Sequence, residues 1–95
     1  MVSIDSHPAL IELGARLRAE RLARNEPQSR FAARLGVSVP TLRRMEQGDP
    51  TAQIGHWLAA LELLGRQADF GTLLAPRYSL FDIAAEPKTR QRARP

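Results

Sequence analysis

The sequence predicts an all-α domain of five short helices, and three features of the chain support that reading. Apolar residues recur at helical spacing in successive segments, glycine or proline stands where each segment ends, and strand-like composition is confined to one short stretch, "RYSLFDIA". At 95 residues there is room for one core and no second domain. A domain of this size buries only about 60 to 65% of the surface its unfolded chain exposes, so dimerisation is the expected source of extra stability.

The first helix is expected to start near Pro8, whose fixed φ suits a first turn, with Asp5, Ser6 or His7 as capping candidates, and to run to about Arg24. Leu10, Leu13, Gly14, Leu17 and Arg21 fall on one stripe, so an arginine ends an apolar face. "NEP" stops this helix, because Pro27 disfavours helical geometry at Glu26 and can itself open the next. The second helix spans about 27–35 with Phe31, Ala32 and Leu35 inward, and Gly36 ends it in the left-handed conformation.

Ser38 caps a third helix, about 39–47, which Gly48 stops. "DPT" then turns into a fourth helix near Pro50 to Leu64 that points Ile54, Trp57, Leu58 and Leu61 one way before Gly65 ends it. A fifth, around Gln67 to Leu74, uses Phe70, Leu73 and Leu74, and Pro76 closes it. The domain thus spans 8–75. Residues 76–95 form an extended segment and a basic tail, a candidate dimer or partner contact. Whether 78–83 form a short strand is open, and "EPKTRQRARP" lacks the apolar content to fold.

Charge is distributed unevenly around a net +4. Residues 16–44 hold eight arginines against Glu20 and Glu26, residues 45–87 hold two arginines against six acids, and Lys88, Arg90, Arg92 and Arg94 make the tail basic again. Such asymmetry suits a polyanion, although a basic face can also be merely solvated. Catalysis is not expected: there is no cysteine, the two histidines are isolated, and the carboxylates are scattered, so neither a metal site nor a nucleophile–base pair is offered and no cofactor is implied. His7 reads as a capping residue and His56 as an exposed helix residue. The start, MVSIDSHPAL, lacks the basic and apolar regions of a signal peptide, and no apolar run approaches the roughly 20 residues that span a bilayer. A cytoplasmic protein with no membrane partner is the expectation.

The third helix carries most of the functional signal. With Leu42 inward and 100° per residue, Val39, Met45 and Glu46 face the core. Pro40, Arg44 and Gln47 lie on the far side, with Thr41 and Arg43 on the flanks. This face could be an ordinary solvated one, or it could enter a major groove, where arginine pairs with guanine and an apolar group touches a thymine methyl. Pro40 fits the first helical turn, where a missing N–H costs little. Arg21 and Glu46 each fall on the apolar stripe of their own helix, so they either pair or, for Arg21, reach water along the side-chain stem.

Residues 10–65 resemble the lambda-repressor and Cro type of helix-turn-helix, also called the Xre family. The resemblance rests on Arg21, on "QSRFAARLGVS" with Gln28, Ala32, Gly36 and Ser38, and on Thr41, Leu42, "ME" with Glu46, and Gly48. It implies a five-helix DNA-binding domain that meets double-stranded DNA in the major groove, usually as a homodimer. It puts a phosphate-contacting and bracing role on Gln28, base reading on Val39, Pro40, Thr41 and Arg44, and a structural salt bridge on Arg21 and Glu46. Where the family often has polar residues, Val39 and Pro40 are apolar. Further DNA contacts are expected from Arg30, Ser38, Arg43 and Gln47, with Arg18 nearby.

Three functions fit these residues. One is a sequence-specific transcriptional repressor acting on its own operator. A special case is an antitoxin that also binds a toxin, because the compact domain, short fifth helix and basic tail resemble antitoxins paired with HipA-type kinase toxins. The third is a protein-interaction module that has lost DNA binding, against which exposed Arg43 and Arg44 argue. Trp57, helix five and "YSLFDI" are the candidate dimer contacts, and Trp57 equally suits the core.

Overall fold

Proline and glycine divide the chain as their backbone preferences dictate. In the computed structural model, which describes residues 7–77, Pro8 opens helix α1 (Pro8–Ala23). Pro27, extended at ψ 156°, precedes α2 (Gln28–Leu35), and Gly36 ends α2 at φ 82°. Ser38 precedes α3 (Val39–Glu46), Gln53 precedes α4 (Ile54–Leu63), and α5 (Gln67–Gly71) follows Gly65. The fold is all-helical, with no strand among the described residues. The alternatives left open for 78–83, the basic tail, and the capping candidates Asp5 and Ser6 lie outside the described residues.

Helix α3 sits at the centre, packed against both α1 and α2, while α4 covers α2 and carries α5. Leu17, Phe31, Ala32, Leu42, Met45, Ala60 and Leu64 form the core, and Phe31, Leu42 and Met45 are its largest fully enclosed side chains. Burial of side chains of this size contributes about 1.5 to 3 kcal/mol each. Two glycines set how closely α1 approaches the end of α3. A Cβ on Gly14 would lie 2.5 Å from the Glu46 carbonyl oxygen, and one on Gly48 would lie 2.5 Å from Ile11 Cα. Gly48 is also left-handed, at φ 79°.

Several expected details are corrected. Helix α4 begins at Ile54 rather than near Pro50, because the Asp49 carboxylate accepts from the Thr51 N–H at 2.8 Å and from its hydroxyl at 2.7 Å, holding this stretch in a turn. Of α4 only Ala60 is fully buried, and it joins Leu64, just beyond the helix, in the core. Ile54 is therefore 68% exposed rather than inward, and with Trp57, Leu61, Leu10, Leu13, Phe70 and Leu73 it lines an open groove of about 340 Å³. Leu13, expected on the inner stripe of α1, belongs to the same groove. Helix α5 ends at Gly71, not Leu74. The Thr72 hydroxyl takes the Asp69 carbonyl and Leu74 turns left-handed, which leaves Leu73 and Leu74 exposed instead of inward.

Polar contacts tie the far end of α1 to the α4–α5 junction. Glu20 accepts from Arg24 and from Arg66 at 2.6 Å, and Arg24 also donates to the Leu64 carbonyl at 3.1 Å. The guanidinium of Arg24, then that of Arg66, holds the Glu20 carboxyl below its ordinary range, and the Thr51 hydroxyl and N–H do the same for Asp49. A carboxyl whose folded pKa is lowered contributes stability that is present above its ordinary value and lost as pH falls through the folded one. The melting temperature should thus hold from neutral pH to about pH 5 and fall below about pH 4, with a shallower fall in Glu20→Gln. Gly14→Ala should cost about 1 to 3 kcal/mol in urea unfolding through overpacking. Gly55→Ala, where an added Cβ meets nothing within 4 Å, should instead gain about 0.5 to 1 kcal/mol.

Candidate nucleic-acid interface

The candidate interface is built from the inside outward, because what α3 buries decides what it presents. Leu42, Met45 and Glu46 are buried. Those three inward positions leave Pro40, Arg43, Arg44 and Gln47 exposed and Thr41 half-buried on the flank. Val39 is half-buried and packs partly against the core. At the helix start, Ser38 is extended at ψ 159° and its hydroxyl accepts the Thr41 N–H at 3.2 Å. Pro40 lies in the first turn, where its missing donor breaks no intrahelical bond.

Under this face lies a buried ionic network. Arg21, 4% exposed, donates from Nε to Glu46 Oε2 at 2.7 Å and from Nη2 to Oε1 at 3.0 Å. Its Nη1 donates to the Glu26 carbonyl at 2.9 Å, so each guanidinium nitrogen is satisfied. Hydrogen bonding to Glu46 raises the Arg21 pKa further above its already high ordinary value. Gln28, the first residue of α2, donates its amide to Glu46 Oε1 at 3.0 Å, so its side chain is turned toward α3. The three side chains thereby lock α1, α2 and α3 together.

Sequence reasoning missed two members of this arrangement. The Glu26 carboxylate is buried and accepts from Arg34 Nη1 at 2.8 and 2.7 Å. Glu26 lies between helices, outside any apolar stripe, and its place before Pro27 was the only signal available. Arg34 read merely as one arginine of a basic run. His56, expected to be exposed, is half-buried with a buried Nδ1 that has no hydrogen-bond partner.

On the outer surface, Ser38, Thr41 and Arg44 are brought together. Ser38 Oγ donates to Thr41 Oγ1 at 3.0 Å and Arg44 Nη2 donates to the same oxygen at 3.2 Å. Arg30 and Arg18 are exposed on α2 and α1. The surface thus combines a short capped helix, a donor-rich face and flanking arginines. Among the described residues no group of three or more potential ligands could hold a metal ion, and no helix is long and apolar enough to cross a membrane.

Residues 12–70 match the family model described as a helix-turn-helix domain, a span running from α1 into α5. The chain is also 38% identical over 65 residues to an uncharacterized HTH-type transcriptional regulator, y4mF, of Sinorhizobium fredii (strain NBRC 101917 / NGR234). That similarity covers 68% of this chain and 82% of the relative. No solved structure matches.

Removing one partner of the buried pair strands the other charge in the core. Glu46→Ala should therefore cost about 3 to 5 kcal/mol in chemical denaturation, whereas Arg21→Met combined with Glu46→Leu should recover most of that loss. A Glu46→Ala cost below about 1 kcal/mol, the range of a solvated pair, would contradict this account.

Proposed function

The chain belongs to the helix-turn-helix domain family, and from that premise we propose that it is a sequence-specific DNA-binding transcriptional repressor that docks α3 in the major groove. The carrying observation is the division of α3 itself: Leu42, Met45 and Glu46 are locked inside, while Pro40, Arg43, Arg44 and Gln47 stand outside above a buried ion pair whose guanidinium nitrogens all have partners. Eight helical residues extend about 12 Å, the width of the B-DNA major groove. The relative's description as a transcriptional regulator supports the same reading.

Within this proposal the side chains divide by role. Arg44, Thr41, Gln47 and Pro40 meet base edges, Pro40 and the flank of Val39 offering only apolar contact. Arg30, Arg43, Arg18, Ser38 and the remaining hydrogen-bonding capacity of Gln28 meet phosphates, which position the protein without reading sequence. The protein acts as a twofold dimer on half-sites about 34 Å apart. The open apolar groove beside Trp57, with exposed Ile54 and Leu73, supplies surface for the subunit contact. The narrower role, an antitoxin that represses its own operon and binds a kinase-like toxin in the cytoplasm, rests on the resemblance in layout. A kinase-like adjacent reading frame would favour it over a free-standing repressor.

The test is a fluorescence-anisotropy titration of the protein with the duplex upstream of its own gene and with a scrambled duplex, across a salt series. Tight binding to the native duplex alone, weakening steeply as salt rises, is expected. Arg44→Ala should relax preference at one base position by about 1 to 3 kcal/mol, while Arg30→Ala and Arg43→Ala should weaken all duplexes alike and each lower the salt slope by about one. Weak, equal binding to both duplexes would point instead to an operator elsewhere or to a domain that only holds another protein.

A further inference from the structure

We infer that Thr41 is a positioning residue that aims Arg44 at the O6/N7 edge of a guanine, an inference that rests on the proposed binding of DNA by α3. The geometry is a short relay along one face. The Thr41 N–H donates to Ser38 Oγ at 3.2 Å, and Ser38 Oγ donates to Thr41 Oγ1 at 3.0 Å. Arg44 Nη2 then donates to Thr41 Oγ1 at 3.2 Å. The helix cap and the arginine are thereby fixed to one oxygen.

The donor-only chemistry of the held guanidinium decides what the relay can recognise. Ser38 Oγ and Thr41 Oγ1 share one hydrogen bond, to which either hydroxyl can supply the proton, and Arg44 occupies one lone pair of Thr41 Oγ1. Arg44 keeps Nε, Nη1 and the second hydrogen of Nη2, all of them donors. Pro40, one turn before Arg44, has neither donor nor acceptor in its side chain. The Arg44 guanidinium, with Pro40 beside it, therefore offers a fork of donors and no acceptor. In the major groove cytosine N4 and adenine N6 are donors that such a fork cannot satisfy, thymine has one acceptor, and guanine has the adjacent acceptors N7 and O6.

Holding Arg44 before DNA arrives has a consequence of its own. A long exposed arginine loses rotamer freedom when it binds, and a side chain already restrained at i,i+3 loses less. Thr41 thus acts through Arg44, and the effect should appear in discrimination among bases more than in overall affinity. A phosphate is also an acceptor that such a fork could meet, so the decisive probe changes a base and leaves the backbone intact.

The full chain is first used to select preferred duplexes from a random library. Anisotropy then compares the selected duplex with one carrying 7-deazaguanine, which lacks the N7 acceptor, at each conserved guanine. The wild type is expected to lose about tenfold or more at one guanine per half-site. Thr41→Val, which keeps the shape and removes the hydroxyl, should lose most of that discrimination, Thr41→Ser should retain it, and the melting temperatures of all three should agree within a few degrees. Unchanged discrimination in Thr41→Val, a uniform weakening of all duplexes, or indifference of the wild type to every 7-deazaguanine overturns the inference while leaving DNA binding in place. A library that enriches no sequence overturns the DNA-binding reading, and this inference with it.

Discussion

The buried pair of Arg21 and Glu46 is the constraint on which the rest of the structure depends. Two charges removed from water in a small core are tolerable only when every polar atom of both finds a partner, and here Nε, Nη1 and Nη2 of Arg21 all do. That requirement is directional. Meeting it fixes the rotation of α3 about its axis relative to α1, the path of the chain at Glu26, and the side chain of Gln28 at the start of α2. A wholly apolar core of similar volume could hold α3 as firmly, but methyl groups would not resist its rotation in the same way. Gly14 and Gly48 belong to the same constraint, because only bare backbone lets α1 come close enough for the pair to meet.

Once the rotation is fixed, the outer face follows. Leu42, Met45 and Glu46 consume one side of an eight-residue helix, so the residues between them have no choice but to face out. The Ser38 cap fixes where the helix begins and Gly48 where it stops, which sets the height of Arg43, Arg44 and Gln47 above the core. The charges are segregated in the same sense. Acidic side chains near α1 and α2 are engaged by neighbouring arginines, Glu20 by Arg24 and Arg66 and Glu26 by Arg34, so their charge is offset locally. Of the acids near Arg43 and Arg44, Glu46 points inward, and Asp49, just past the helix, is held mainly by Thr51 though it also feels the charge of Arg44.

The helices were legible because the chain marks their ends with residues of narrow conformational range. Pro8, Gly36 and Ser38 each act by a local mechanism that needs no knowledge of the fold, and α1, α2 and α3 start and stop within a residue or two of where those mechanisms place them. A charge phased with an apolar stripe is legible on the same terms, and Arg21 and Glu46 are both so phased and both buried. Other features depend on competition between partners, which spacing does not reveal. Asp49 and Thr51 bond to each other and delay α4, Ala60 rather than a larger neighbour is the fully buried residue of α4, and the Glu26 carboxylate is buried with an arginine eight residues away. The contact chain from Ser38 through Thr41 to Arg44 was equally hidden, since it depends on side-chain rotamers.

Gln28 joins the inner network to the outer surface. Its amide N–H is drawn to Glu46, yet it stands at the exposed start of α2, where a phosphate would lie in the proposed complex. One amide hydrogen and the carbonyl remain to meet solvent or DNA. A phosphate engaging that hydrogen would pull on the side chain that braces Glu46, and through it on α3, so backbone contact and the set of the recognition helix would be energetically coupled. Pro40 and Val39 sharpen the consequence. With Val39 and Pro40 lacking side-chain hydrogen-bonding groups, discrimination in the proposed complex would fall to residues whose position depends on how firmly that helix is held.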